Sequence, residues 1–217
     1  MPDYAAQRAN MVATQIFANG VTEERVLDAF HAVPRELFVP AEKRGIAYAE
    51  VAIEVVPSRR LLPVRTFAKL LELAEIEPDE TILDVGCATG YSTAVIARLG
   101  SRIIGLEEDA TLVRIASELL HSTGVAKATI AQGALVDGYR SAAPFDAIII
   151  EGGVEEVPES LLAQLREGGR LVTILQRQSQ GQAIVFLKEG ERTGHRFDFD
   201  AAANVLPGFR KPAAFVL

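Results

Sequence analysis

Thr81-Ile-Leu-Asp-Val-Gly-Cys-Ala-Thr-Gly90 is the stretch of the 217-residue chain that decides the fold. Residues 81–85 form an apolar, β-branched run, which is typical of a strand covered on both faces of a parallel sheet. Gly86 and Gly90 bracket the following turn, where the absence of a Cβ lets the backbone bend tightly and approach a bound molecule. Residues 91–99 then predict a helix that Gly100 ends. A strand, a glycine turn and a helix in this order open a nucleotide-binding α/β unit.

Two carboxylates sharpen the prediction of a ligand site at this turn. Asp84 lies two residues before Gly86, and Glu107 ends the next apolar run, 102–107. A carboxylate about 20 residues after the turn is placed to accept hydrogen bonds from the ribose of an adenosine. Dinucleotide enzymes use G-x-G-x-x-G to seat a pyrophosphate, whereas the spacing here is G-x-x-x-G, and the nearby acid suits a cationic ligand better. The alternative is an α/β domain whose glycines only make a tight turn.

Composition limits the classes of function. A hydrophobic content of 49% in 217 residues is enough for one well-buried domain. The net charge of -7 argues against general affinity for nucleic acid or for anionic membranes. We therefore expect a cytoplasmic monomer or weak dimer that binds neither. The single cysteine, Cys87, and three scattered histidines predict no metal site, and Cys87 is expected to line the ligand loop rather than to act as a nucleophile.

The residues before and after the glycine turn make a family identifiable. The most specific run is Val33-Pro34-Arg35-Glu36-x-Phe38-Val39-Pro40. The other matching segments are 11–15, 20–22, 26–29, 47–48, Gly133, 144–150, 157–158, 161–165 and 168–172. In this order they resemble protein-L-isoaspartate O-methyltransferases, and D-x-G-x-x-x-G resembles the first motif of the class I S-adenosylmethionine-dependent methyltransferases. The resemblance covers roughly residues 8–175 and fades beyond them.

The resemblance implies an α/β, Rossmann-like class I methyltransferase fold. Such a fold has a central, mostly parallel seven-stranded sheet with helices on both faces, here with a helical N-terminal extension. On this basis one methyltransferase domain spans residues 1–217. It comprises an extension that covers the acceptor site (1–63), a cofactor-binding α/β core (64–175) and a β-rich closing segment (176–217).

Local patterns predict the remaining elements. An amphipathic helix is expected over 5–19, and a second begins with Thr22 as its N-cap. Phe197 and Phe199 are expected in the core. The further predicted strands are 128–131, 145–150, 170–175, 183–187, 196–200 and 213–217.

The resemblance also implies a function. The enzyme would methylate the α-carboxyl group of isoaspartyl residues in damaged proteins or peptides, or alternatively a small acid, with S-adenosyl-L-methionine as the cofactor. The residues expected to bind the cofactor are Asp84, Gly86, Cys87, Gly90, Glu107, Gln132 and Gly133. Carboxyl methylation needs no general base, because the acceptor has a reference pKa near 4 and is ionised at neutral pH. Alignment of the reacting atoms and exclusion of water then supply the rate.

One departure from the family concerns the acceptor site. The family has a hydroxyl-rich segment before a proline, where this chain has residues 59–63, and Leu61 stands at the position of the active-site serine. The catalytic residue is therefore unknown, since leucine donates no hydrogen bond; Ser58 or Thr66 would substitute only if the loop were shifted. Arg59, Arg60 and Leu61 are expected at the acceptor. The two guanidinium groups either hold the acceptor carboxylate or are solvated surface charges.

Two further departures bear on the ligand. The family often has an aspartate that contacts adenine after the third strand, where this chain has Gln132-Gly133, so the contact would pass to Gln132, backbone or apolar groups. Glu151 either faces the sulfonium or the acceptor, or is a helix N-terminal charge. Two alternative functions remain open: a methyltransferase of different acceptor specificity, and a catalytically inactive cofactor-binding or interaction module.

Overall fold

A seven-stranded, mostly parallel sheet forms the centre of the computed structural model, which describes residues 2–177 and 180–211. Its strands are β3 (Thr81–Val85), β4 (Arg102–Glu107), β5 (Ala128–Gln132), β6 (Phe145–Val154), β7 (Leu165–Arg177), β8 (Gln180–Glu189) and β9 (Arg192–Asp200). A separate hairpin is formed by β1 (Ile53–Val56) and β2 (Arg59–Leu61). The α-helices are α1 (Tyr4–Met11), α2 (Glu24–Ala32), α3 (Val64–Ala74), α4 (Tyr91–Ile96), α5 (Ala110–Ser122) and α6 (Glu159–Leu162). The predicted fold class is confirmed.

Strand order places the glycine turn where ligands bind in such sheets. The order is β5-β4-β3-β6-β7-β8-β9, with parallel pairing from β5 to β7 and antiparallel pairing at β8 and β9. The chain runs outward from β3 to β5 and then returns to β6 on the other side of β3. Ligands of open α/β sheets bind at the carboxyl ends of the strands at such a reversal.

Apolar side chains cover both faces of the sheet. One face packs against α3, α4, α5 and the N-terminal elements in a large buried cluster. The other packs against α6 and the segment 205–209 in a second cluster. β3 and β6 read as near-continuous apolar runs because both of their faces are buried.

The N-terminal extension is helical, as predicted, but its details differ. The first helix continues beyond α1 as a π-helical segment, Val12–Ile16, and a 3₁₀ turn, Phe17–Asn19, and ends at Gly20 with φ +93°. The prediction that Thr22 caps α2 is wrong. Glu23 holds that position without a side-chain cap, and the backbone N–H of Thr22 instead donates to Glu72 Oε1 at 2.8 Å.

Several strands are longer than predicted. β6 continues to Val154, because it pairs with β7 through an irregular stretch beyond residue 149. Phe199 packs against the core, but the prediction that Phe197 is buried is wrong, since its ring is 39% exposed on the edge strand β9. The predicted strand 213–217 lies outside the described residues. Within the described part of the chain, no helix is long and apolar enough to cross a membrane.

Candidate active site

Positive backbone angles shape the glycine turn that follows β3. Gly86, Ala88 and Gly90 have φ of +80°, +50° and +88°, a region that glycine enters without a steric cost. The N–H of Gly86 donates to Leu106 O at 2.9 Å, which fastens the turn to β4. A Cβ at Gly90 would lie 3.1 Å from the Cβ of Ala116. Gly90 is therefore needed for close packing against α5.

Asp84 lies fully buried beneath this turn. Ser92 Oγ and Thr93 Oγ1, from the first turn of α4, donate to its Oδ2 at 2.7 and 2.6 Å. Its other oxygen, Oδ1, has no hydrogen-bond partner among the described residues. Burial raises the pKa of Asp84 to about 7, and the two hydroxyl donors oppose that rise. An unpartnered carboxyl oxygen in this position suits a cationic group.

Glu107 ends β4 beside the turn, as the sequence predicts. Its Oε1 accepts hydrogen bonds from the N–H groups of Glu108 and Asp109, at 2.9 and 3.2 Å. Its Oε2 accepts one from Ala88 N–H at 2.9 Å. Burial raises the pKa of Glu107, and the charge of Arg59 is the largest opposing effect.

Arg59 reaches into the site from β2 and contacts Glu107. Its Nη2 lies 2.5 Å from Glu107 Oε2, and both side chains are buried. The interpretation of Arg59 as a solvated surface charge is therefore wrong. Its guanidinium group faces the carboxylate of Glu107 and not an open surface where an acceptor could bind.

The carboxylates of Asp84 and Glu107 suit an adenosyl ligand, but side chains fill the space around the glycine turn. A Cβ at Gly86 would meet Leu206 Cδ1 at 2.9 Å and Arg59 Nη2 at 3.4 Å. The cavity bordered by the turn has a volume of about 10 Å³, whereas pockets for small ligands measure roughly 300–1,000 Å³. Arg59 and Leu206 therefore both occupy space on the glycine turn.

The other predicted cofactor residues lie around the same turn. Cys87 is buried, and burial raises the pKa of its thiol, which matches its expected role as an unreactive lining residue. Gly133 N–H donates to Glu107 O at 3.1 Å. Gln132 is exposed, and its Nε2 lies 3.4 Å from Glu108 O. Their contacts with an adenine ring stay predictions.

Leu61 and Arg60 line the small cavity together with Glu151. Leu61 is buried and pairs with Ile53 across the β1–β2 hairpin. Arg60 is partly exposed, and its Nη2 lies 3.5 Å from Glu54 Oε2. Ser58 is exposed, and its Oγ donates to the neighbouring carbonyl of Pro57.

Glu151 is not the helix N-terminal charge that was one of its two interpretations. It lies within β6, level with the glycine turn, because Val85 pairs with Ile150. The side chain is buried, and its Oε1 has no hydrogen-bond partner among the described residues. Burial raises the pKa of Glu151 well above its ordinary value, and the charge of Asp84 raises it further.

Sequence reasoning missed two residues at the site. Arg35 is 1% exposed, donates to Leu62 O at 2.8 Å and lies 4.5 Å from the centre of the Tyr91 ring. Its place in the specific run 33–40 was the available signal. Leu206, from the segment after β9, packs on Gly86 and Gly152. No sequence signal indicates that contact. Across residues 2–177 and 180–211, no three metal-ligating side chains come together.

Comparison with known proteins decides the family. The family model described as protein-L-isoaspartate(D-aspartate) O-methyltransferase matches residues 6–199. The chain belongs to this family. A protein-L-isoaspartate O-methyltransferase of Methylorubrum extorquens (strain PA1) is 37% identical over 172 residues, covering 79% of this chain and 75% of the relative. The protein-L-isoaspartate O-methyltransferase 1 of Rhodopseudomonas palustris (strain HaA2) is 33% identical over 184 residues, or 85% of this chain and 75% of that protein.

Solved structures of protein-L-isoaspartate O-methyltransferases share the fold. One superposes with a TM-score of 0.81 at 22% identity, covering 93% of this chain and 66% of its own. Another, from Plasmodium falciparum and in complex with S-adenosyl-L-homocysteine, has a TM-score of 0.78 at 18% identity, with coverage of 95% and 99%. At these identities the structural likeness shows only that the fold is shared. Membership of the family is shown by the sequence matches.

Proposed function

We propose that the protein is an S-adenosylmethionine-dependent methyltransferase acting on the carboxyl group of isoaspartyl residues in proteins. The observation that carries the proposal is that the glycine turn, Asp84 and Glu107 meet at the strand-order reversal of a chain in this family. The relatives are named for this activity, and the Plasmodium falciparum structure contains the demethylated form of the cofactor.

The residues proposed to bind the cofactor are already close together in the structure. Glu107 would accept hydrogen bonds from the ribose hydroxyls once Arg59 has moved. The turn around Gly86 would face the adenosyl group. When bound, the cofactor supplies an electrophilic methyl group on a sulfonium. Asp84 Oδ1 lies buried without a partner among the described residues, so a nearby cation would recover part of its desolvation cost.

The acceptor side would be formed by Arg60, Leu61 and Glu151, which border one cavity. Arg60 is exposed enough to hold the carboxylate of an incoming substrate. Glu151 does not repel that carboxylate if its raised pKa keeps it protonated, and its O–H can then donate the hydrogen bond that Leu61 cannot. The chain's task is thus to orient an already ionised carboxylate and to exclude water.

The setting of this activity is also proposed. We propose that the protein acts as a monomer or weak dimer in the cytoplasm, on protein substrates and not on nucleic acid. The net charge of -7 supports the last part, since a nucleic-acid site requires a basic surface.

A specific observation favours a second candidate function. Arg59 occupies the position where Glu107 would meet a ribose, and Leu61 stands where the family has a hydroxyl. A chain that had lost catalysis but kept the scaffold as an interaction module would show both features.

Methyl transfer to an isoaspartyl peptide separates these candidates. We expect tritium from labelled S-adenosylmethionine to enter the isoaspartyl peptide but not the same peptide with a normal aspartyl residue. An active family member serves as the positive control. Cofactor binding without transfer would favour a different acceptor or an inactive cofactor-binding module, and the absence of both would favour an interaction module.

The variant Leu61→Ser tests the acceptor site itself. A serine would restore one hydrogen bond to the acceptor, and a hydrogen bond contributes about 0.5–1.5 kcal/mol, so we expect kcat/KM to rise by up to roughly tenfold. Leu62→Ser is the matched control, because Leu62 is equally buried and borders the same cavity. Equal effects of the two substitutions would contradict a special role for position 61.

A further inference from the structure

The arginine at the start of β2 pairs with Glu107, the carboxylate expected to bind the ribose of the cofactor. We propose that Arg59 is a latch on Glu107, which an adenosyl cofactor has to displace in order to bind. The inference rests on the proposed function and adds a device that sets the affinity and rate of cofactor entry.

Occupation of Glu107 by Arg59 and by a ribose is mutually exclusive. Three backbone N–H groups and Arg59 Nη2 already surround the two carboxylate oxygens. The ribose hydroxyls have to take the place of the one donor that is a side chain, because the backbone donors are fixed by the turn and by β4. Arg59 Nη2 also lies 3.4 Å from the position of a Cβ at Gly86. Arg59 therefore occupies space on the turn and also uses a hydrogen-bond acceptor site of Glu107.

The guanidinium group of Arg59 is only partly hydrogen-bonded while it contacts Glu107. Arg59 Nη1 is buried without a hydrogen-bond partner among the described residues. A buried ion pair gains Coulomb energy but loses the hydration of both ions, and the two effects often nearly cancel. Release of the guanidinium to water therefore recovers hydration, and the ribose hydroxyls replace its hydrogen bond to Glu107.

The hairpin that carries Arg59 is separate from the main sheet. Among the described residues, β1 and β2 pair with each other and with no other strand, and their register shifts between Glu54 and Val56. Ser58, in the connecting turn, has φ +65°. Moving Arg59 therefore breaks no hydrogen bond in the ladders of the seven-stranded sheet, and the glycine turn can keep its shape while the site opens.

Calorimetry with S-adenosyl-L-homocysteine tests the latch. A closed state lowers apparent affinity by the fraction of molecules that are competent to bind, so Arg59→Ala should bind the ligand at least tenfold more tightly than the unmodified protein. Arg65→Ala is the control, because Arg65 forms a surface ion pair with Glu50 outside the site; its affinity should stay within twofold. Thermal unfolding establishes that each variant is folded.

The outcomes distinguish the latch from the proposed function. Unchanged affinity in Arg59→Ala, with clear binding by the unmodified protein, would overturn the latch and leave the function standing. Weaker binding would make Arg59 a ligand contact and also overturn it. Absence of binding in both proteins would overturn the latch and the cofactor-dependent function together.

Hydrogen exchange on the unmodified protein gives a test that needs no variant. Displacement of Arg59 should make the amides of 53–61 exchange faster when S-adenosyl-L-homocysteine is bound, while those of 84–90 exchange more slowly. Slower exchange in both segments would mean that the hairpin closes over the ligand, and the latch would be wrong.

Discussion

At the scale of single residues, burial controls the charge of the site. Asp84 and Glu151 lie on the neighbouring strands β3 and β6, and each has one buried oxygen without a partner among the described residues. Removal from water raises both pKa values; the charge of Glu107 raises that of Asp84 further, and the charge of Asp84 raises that of Glu151. The site therefore binds a proton that the same groups would release in an unfolded chain.

Glu151→Gln should change how stability depends on pH. Because the folded pKa of Glu151 is raised, the unfolded chain loses this proton first, above a pH of about 4.3. The free energy of unfolding then falls as pH rises toward the folded pKa, by about 1.4 kcal/mol per unit of difference. Glutamine removes this loss, so the variant should gain stability relative to the unmodified protein between pH 5 and pH 8.

Urea unfolding at the two pH values measures the effect. Glu189→Gln removes one exposed carboxylate from β8 and serves as the control. A stability difference for Glu151→Gln that is the same at pH 5 and pH 8 would show that Glu151 is ionised in the folded protein.

At the scale of elements, Arg170 joins three parts of the fold. From β7 it donates to the carbonyl oxygens of Ala74 and Glu75 at the end of α3, and to both carboxylate oxygens of Glu80 before β3. The Arg170 and Glu80 side chains are 12% and 9% exposed. One guanidinium thus satisfies helix-end carbonyls that have no partner inside the helix.

Arg170→Met should destabilise the fold strongly. It leaves the carboxylate of Glu80 largely buried without its cation, and breaking such a pair costs about 3–5 kcal/mol. Arg114→Met removes an exposed ion pair with Glu118 on α5 and should cost about 0.5 kcal/mol or less. Guanidinium chloride unfolding of both variants measures the two costs, and equal losses would contradict the structural role of Arg170.

The local sequence pattern predicted the strands whose burial is reflected in their apolar residues. β3 and β4 were predicted with their exact limits, because buried parallel strands are apolar throughout and end at a glycine or a carboxylate. The end of β6 was missed, since Glu151-Gly-Gly153 reads as a loop and is strand only by pairing with β7. Phe197 was misplaced for a related reason. An aromatic residue in a strand is expected to be buried, but β9 is an edge strand.

Only those parts of the site that depend on residues close together in the sequence were predictable. Glu107 follows from its spacing to the glycine turn, a local feature. The position of Arg59 depends on a partner 48 residues away, and no local pattern distinguishes a buried arginine from a solvated one. Leu206 comes from farther still, beyond the end of the family match at residue 199.

At the scale of the whole molecule, the N-terminal extension and the sheet share one core. Phe30 of α2 packs edge-on against Phe67 of α3 and Tyr91 of α4, with ring centres 5.4 and 6.4 Å apart. The same buried cluster includes Ile82 of β3 and Val172 of β7. We therefore propose that residues 1–217 form one domain, in which the extension cannot unfold while the sheet stays intact.

Phe30→Ala tests this proposal by calorimetry. Truncation of a buried phenylalanine costs about 3–5 kcal/mol, and in a single cooperative domain the whole unfolding transition should move to lower temperature as one peak. Phe17→Ala makes the same change on a ring that is 57% exposed, where surface substitutions usually stay within about 0.5 kcal/mol. If the extension were an independent unit, Phe30→Ala would instead split the trace. A second peak at the original temperature would then show that the sheet holds its fold without the N-terminal extension.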